Sequence, residues 1–315
     1  MSNVRTNSGM APISSAPGGI FVPLLVVTLV STFVLIIIGG IVRVTDSGLG
    51  CPGWPLCYGK VVPPMEKHAI IEYMHRLFAS IVSVLLLAVA GMAWAYYRRT
   101  NKTIFYLAIS LILLLILQIA LGAITVEAEL ASEFVTAHLA TAETLFAVLG
   151  FLTTYAVLAR RGQPPSKPNV SLQKWTLVTG IATFVLLMTG SFMVGSDSTA
   201  ACSGWPLCNG GLFDGGYHQA AALIHRYTAA IVGVVTLIIG VAILRSKDSL
   251  PAQRLLAAVL VFLFVFQVIV GAMTVFSDYN EFFQSFHLTV ASAVWIMLVL
   301  LASHQYLSTR KLPQL

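Results

Sequence analysis

Cys51-Pro-Gly-Trp-Pro-Leu-Cys57 returns later in the chain as Cys202-Ser-Gly-Trp-Pro-Leu-Cys208. The echo extends outward from these loops. Glu72-Tyr-Met-His75-Arg76 returns as Ala222-Leu-Ile-His225-Arg226, and Gln118-Ile-Ala-Leu-Gly122-Ala-Ile-Thr125 returns as Gln267-Val-Ile-Val-Gly271-Ala-Met-Thr274. Ala137-His138-Leu139 returns as Phe286-His287-Leu288. The offset stays between 149 and 151 residues throughout, which is the mark of a duplicated module. Each copy carries one cysteine pair and two histidines inside apolar sequence, so differences between the copies report on division of labour.

The sequence surrounding these motifs is 57% hydrophobic and only 10% charged, with a mean hydropathy of +0.88. That is outside the range of soluble domains. Eight apolar runs are long enough for a bilayer, where about 20 residues suffice: Ile20–Val42, Ile70–Tyr97, Ile104–Val126, Phe134–Leu158, Trp175–Val194, Ala220–Leu244, Leu255–Val275 and Phe282–Leu301. Backbone groups in hydrocarbon must be bonded within their own segment, so these runs are read as helices. The expected fold is an all-α integral membrane protein of eight transmembrane helices, built as two tandem four-helix bundles. An even number of helices per copy makes both copies enter the membrane from one side, and so predicts a pseudo-two-fold axis along the membrane normal.

The net charge of +6 does not point to nucleic acid, because its placement has another explanation. Arg98, Arg99 and Lys102 fall between helices 2 and 3. Arg160, Arg161, Lys167 and Lys174 fall between 4 and 5, and Arg245, Lys247 and Arg254 between 6 and 7. Arg310 and Lys311 end the chain. The connections 3–4, 5–6 and 7–8 lack Lys and Arg and hold Glu127, Glu129, Asp197, Asp214 and Asp278. By the positive-inside rule both termini are cytoplasmic, in a multi-pass protein of the plasma membrane. The cysteine loops then face outward, where disulfides persist.

The chain divides into a cytoplasmic tail (1–19), a first half (20–161), a linker (162–173), a second half (174–306) and a cytoplasmic end (307–315). The tail, with a single Arg and no apolar core, reads as neither a signal nor a transit peptide. Pro residues in Gly162–Asn169 mark the linker.

His75, His138, His225 and His287 each sit about five residues inside the expected outer end of a helix, roughly 7–8 Å in at ~1.5 Å per residue. Ionisable side chains at such depths are uncommon and usually functional. A single histidine there is readily explained as a polar group bonded to a neighbouring helix. Two matched pairs are better explained as ligands, because a low-spin heme takes one neutral imidazole on each face. His75 with His138, and His225 with His287, would then make one tetrapyrrole site in each bundle. His68 and His218, expected in outer loops, and His304, near the inner end of helix 8, receive no ligand role. Arg76 and Arg226 each follow a proposed ligand, so they are assigned to heme propionates, which a guanidinium binds bidentately, in preference to snorkelling toward headgroups. The Cys-x5-Cys spacing is wider than the pairs of structural zinc sites, and the outward location favours disulfides. The second loop reads as a staple, whereas the first is either a staple or redox-active. Trp54 and Trp205 suit the membrane interface.

Two positions break the repeat near the histidines. Glu72 shares a helix face with His75 and is replaced by Ala222 in the second copy. It is either a chemical group or a partner for Arg76 and the helix terminus. Arg43 is replaced by Val194. Glu143, replaced by Ser292, lies off the His138 face and is the weaker candidate.

On these residues together, the chain resembles the heme A synthase family, membrane enzymes that convert heme O to heme A for cytochrome oxidases. The resemblance spans nearly the whole sequence: eight helices, duplicated halves, Glu-x-x-His-Arg at 72–76, and His138, His225 and His287. It implies oxidation of a porphyrin methyl group to a formyl group by successive hydroxylations. It further implies heme b on His225 and His287 as the electron-transfer cofactor, with heme O as substrate on His75 and His138. Glu72 becomes the catalytic carboxylate, Cys51 and Cys57 the functional pair, and Cys202 and Cys208 the structural one. The implied partners are the lipid bilayer, an unidentified electron acceptor and the membrane enzyme that produces heme O. Two other readings fit parts of the pattern: a membrane thiol–quinone oxidoreductase, and a non-enzymatic two-heme carrier or heme transporter.

Overall fold

The computed structural model describes residues 18–162, 164–196, 198–208 and 216–315. Residues 1–17 of the expected tail, and the loop acids Asp197 and Asp214, fall outside this set. The described chain is helical throughout: α1 (Gly18–Val44), α2 (Lys67–Met92, continued by a π-helical turn, Ala93–Tyr97), α3 (Lys102–Glu127), α4 (Ser132–Arg161), α5 (Val170–Gly195), α6 (Tyr217–Arg245), α7 (Pro251–Phe276) and α8 (Glu281–Leu307). Eight of these segments are long and apolar enough to cross a membrane.

Most helices outrun their apolar runs by several residues, because polar residues at the membrane boundary continue the backbone bonding. This moves His68 and His218 out of the loops and into the first turns of α2 and α6. Their Nδ1 atoms bond Ser47 at 3.0 Å and Ser198 at 2.9 Å, matched contacts that fix the chain leaving α1 and α5. It also places His75 and His225 eight residues from their helix starts, and His138 and His287 six from theirs, rather than five.

The ends follow local chemistry. Asn101, Asn169 and Asn280 cap α3, α5 and α8 by accepting from backbone N–H groups, and Pro251 opens α7. Gly162, at φ 59°, closes α4 in the left-handed conformation. The α3–α4 and α7–α8 turns repeat each other at the backbone, with Glu129 and Leu130 in one and Asp278 and Tyr279 in the other all at positive φ.

Each half closes on itself: α1 packs on α2, α2 on α3, α3 on α4 and α4 on α1, and the same ring joins α5 to α8. Separate cores fill the two rings, one around Phe21, Leu86, Leu111 and Leu149, the other around Ile243, Leu260, Phe264 and Leu298. A third cluster of Ile36, Phe146, Leu187, Trp295 and Ile296 joins them along α1, α4, α5 and α8. The contacts between halves are α4 with α8, α1 with α8 and α4 with α5. Surrounded in this way, α4 is 67% buried within the protein and has the lowest mean hydropathy of the eight, 1.6. A helix that meets protein rather than lipid does not need an apolar outer face. The opposite case is the outward face of the other helices, where Val84, Leu113, Ile231 and Phe262 lie open to lipid.

Candidate functional site

Each of the four histidines is seated against a glycine of the preceding helix. A Cβ placed on Gly39 of α1 would come within 3.2 Å of His75 Cε1, and one on Gly122 of α3 within 3.2 Å of His138 Cε1. In the second half the same contacts join Gly190 of α5 to His225 at 3.0 Å and Gly271 of α7 to His287 at 2.9 Å. Any side chain there would push on the imidazole. The glycines in the Gln-x-x-x-Gly-Ala-x-Thr repeats thus have a structural reason, as do their glutamines. Gln118 Nε2 lies 3.1 Å from His138 Nε2, and Gln267 Nε2 lies 3.1 Å from His287 Nδ1 while donating to the His287 carbonyl at 3.0 Å. The repetition was visible in the sequence, but the partner of each conserved-offset glycine and glutamine was not.

In the second half the two rings meet. His225 and His287 have centroids 6.5 Å apart. Two imidazoles ligating one metal from opposite sides, with bonds of about 2.0–2.1 Å, place their centroids roughly 6.3 Å apart, so this pair fits a bis-imidazole heme. His75 and His138 are the corresponding pair in the first half, on α2 and α4. Their Nδ1 atoms are buried without a partner among the described residues. His225 differs, since its Nδ1 lies 3.1 Å from Thr189 Oγ1.

Beside the histidines lie the cysteine loops. Both pairs are closed disulfides, Cys51–Cys57 and Cys202–Cys208, with Cα–Cα distances of 4.6 and 4.7 Å. This leaves no thiolates for a four-cysteine zinc site. All four sulfurs are buried, so neither pair is open to an external thiol without movement of its loop. Trp54 and Trp205 stand exposed at the loop tips.

The arginines after the histidines hold these loops. Arg76 donates to Gly53 O at 2.9 Å, Leu56 O at 3.3 Å and Cys51 O at 2.9 Å, and its Nε donates to Glu72 Oε1 at 2.9 Å. Arg226 repeats the clamp on Gly204 O, Pro206 O and Cys202 O at 2.6, 3.3 and 3.3 Å. With four of its five N–H groups engaged, Arg76 has no free pair for bidentate contact with a propionate. Its place in the structure is to tie loop, carboxylate and helix together.

The second half has Ala222 in place of Glu72 and supplies another partner for its arginine. Arg226 bonds the Tyr279 phenol, which donates in turn to Cys202 O. Burial pushes the Tyr279 phenol above its ordinary value. Its first-half counterpart is Leu130, which packs on Gly48 instead. The clamp is therefore completed by a buried carboxylate in one half and by a phenol in the other. Glu72 itself is 5% exposed and stands three residues before His75 on α2.

The two remaining asymmetric positions join the halves. Glu143 accepts from Ser292, its own counterpart, at 2.6 Å, and Trp295 Nε1 donates to the Glu143 carbonyl at 3.1 Å. Arg43 donates to the carbonyl of Val194, also its counterpart, at 3.3 Å and pairs with Asp46 at 3.6 Å.

A family model and many relatives match this sequence. The COX15-CtaA model, described as cytochrome oxidase assembly protein, matches residues 23–299. A heme A synthase of Shouchella clausii is 31% identical over 220 residues, covering 68% of this chain and 73% of its own. A heme A synthase of Bacillus pumilus is 28% identical over 265 residues (80% and 85%), and one of Exiguobacterium sibiricum is 27% identical over 285 residues (88% and 93%).

Proposed function

The chain belongs to the cytochrome oxidase assembly protein family matched over residues 23–299, and from that membership we propose that it is a heme A synthase. It oxidises a methyl group of heme O to a formyl group by successive hydroxylations. The substrate lies in the first half between His75 and His138, and heme b lies in the second half between His225 and His287. The observation that carries this reading is a duplicated pair of facing histidines, 6.5 Å apart in the second half, with a buried carboxylate beside only one pair. The orientation that goes with it has both termini cytoplasmic, the cysteine loops outside and the halves related by a pseudo-two-fold axis along the membrane normal.

Heme b, when bound, supplies a one-electron carrier next to the substrate site. His225 and His287 would hold its iron, with Gln267 and Thr189 bonded to the two rings. His75 and His138 orient heme O, each ring backed by a glycine that fixes its depth. Breaking a methyl C–H bond releases a proton, and Glu72 is the acidic group positioned to take it or to orient an oxygen nucleophile. Arg76 Nε donates to Glu72 Oε1 at 2.9 Å, and the same guanidinium ties the carboxylate to the disulfide loop above.

Heme extraction from protein purified with and without supplied heme O tests the proposal. Heme b in both preparations, and heme A or a hydroxylated intermediate only with heme O, is the expected result. Unaltered heme O in an otherwise intact protein would exclude the synthase reading, and absence of any heme would favour the thiol–quinone class.

A further inference from the structure

Thr189 and its counterpart Ile38 occupy the positions immediately before Gly190 and Gly39, the glycines on which His225 and His75 rest. Thr189 Oγ1 lies 2.8 Å from Leu186 O and 3.1 Å from His225 Nδ1. A hydroxyl has one proton to donate, and here the carbonyl, which can only accept, takes it. The oxygen is then an acceptor toward the imidazole, so His225 carries its proton on Nδ1 and presents a lone pair at Nε2. An imidazole that donates its remote N–H to a fixed acceptor is a better-oriented and more basic metal ligand. Ile38 has no hydroxyl, and His75 Nδ1 is buried with no partner among the described residues. No hydrogen bond from the described residues to that nitrogen selects a tautomer or holds the ring against rotation.

We propose that Thr189 is a positioning residue that locks His225 as a permanent heme ligand, and that Ile38 leaves His75 an exchangeable one. The inference rests on the reading that the second half holds heme b and the first half holds the substrate. It gives that reading a physical basis: a cofactor site has to retain its heme through every turnover, whereas a substrate site has to release one. The same fold meets both needs by changing a single residue beside each ligand.

The test uses the full-length protein in detergent, with Thr189→Val, Thr189→Ser and Ile38→Thr. Val keeps the shape of Thr without its hydroxyl, and Ser keeps the hydroxyl. Three properties are read: the low-spin heme b spectrum, its midpoint potential, and the rate at which heme passes to added apomyoglobin. T189V should still bind heme b but lose it about tenfold faster, in line with the usual effect of removing a ligand's outer partner. Its oxidised form should be disfavoured by up to about tenfold, a rise of up to ~59 mV for a one-electron couple. T189S should match the parent in all three, and I38T should slow heme release from the first half alone. A T189V protein with parental potential and retention would overturn the proposal, as would T189S failing as far as T189V. Unchanged first-half release in I38T would overturn its second arm. His225→Ala is the control for the underlying reading: if it keeps low-spin heme b, the assignment of the site fails rather than the role of Thr189.

Discussion

At their cysteine-loop ends, α2 and α6 carry the same histidine, the same arginine and the same disulfide loop, and the two arginines clamp the two loops through corresponding carbonyls. What surrounds that shared frame differs. The first half has Glu72 on its arginine and, among the described residues, no hydrogen-bond partner on His75 Nδ1, while the second half has Tyr279 on its arginine and Thr189 on His225 Nδ1. One half therefore joins an acceptor group to a loosely held ligand, and the other has no carboxylate but a firmly held ligand. The frame is common to both halves, and they diverge in the groups that touch it from outside.

The strongest way to break this comparison is to remove one ligand from each half. His225→Ala should abolish the low-spin heme b spectrum, because a six-coordinate bis-imidazole iron loses a ligand. His75→Ala should leave that spectrum largely intact and stop heme A formation. Equal loss of heme b in both variants would dissolve the distinction between halves.

Glu72→Gln is next in size. It keeps shape and a hydrogen bond to Arg76 but removes the acceptor of the proton. Heme A formation should fall by about 10²–10⁴, the usual range for a general base, with heme b retained and heme O or a hydroxylated intermediate accumulating. If Glu72 serves only the helix terminus, the cost is about 0.3–1 kcal/mol of stability and turnover stays near normal, which pigment analysis would reveal at once.

A smaller effect sharpens the comparison through the glycines. Gly190→Ala puts a methyl 3.0 Å from His225, and Gly39→Ala puts one 3.2 Å from His75. Overpacking of this kind costs about 1–3 kcal/mol. The first should perturb the heme b spectrum and the second should reduce turnover with that spectrum unchanged. Crossed effects would mean that the rings do not serve separate sites.

The smallest difference is expected between the loops. Cys51→Ala and Cys202→Ala remove disulfides that close rings of the same size, so each should cost a similar 2–3 kcal/mol by chain entropy. At equal protein level, Cys51→Ala should lower turnover more, because only its loop is tied through Arg76 to Glu72. Mass mapping after alkylation without reductant should find both pairs joined in the parent protein. Equal turnover in the two variants would leave the first loop a staple like the second.

Much of this was legible before any coordinates. Hydrophobic run length alone determined eight helices, since hydrocarbon tolerates no other backbone bonding for such segments. The repeat offset determined which histidines and cysteines correspond, and the break at Glu72 and Ala222 marked the halves as unequal. Only the tertiary structure decided what these residues touch. Arg76 and Arg226 read as propionate ligands in the sequence, and packing engages them with loop carbonyls. Glu143 looked like a lesser site residue, and the α4–α8 contact makes it part of the joint between halves, bonded to its own counterpart. Thr189 and Ile38 differed in the sequence without consequence until the α5–α6 contact set Thr189 against an imidazole. Periodicity and composition are properties of single segments and survive in a linear reading. Hydrogen-bond partners belong to pairs of segments, and a one-residue rotation of either helix, about 100°, would exchange them.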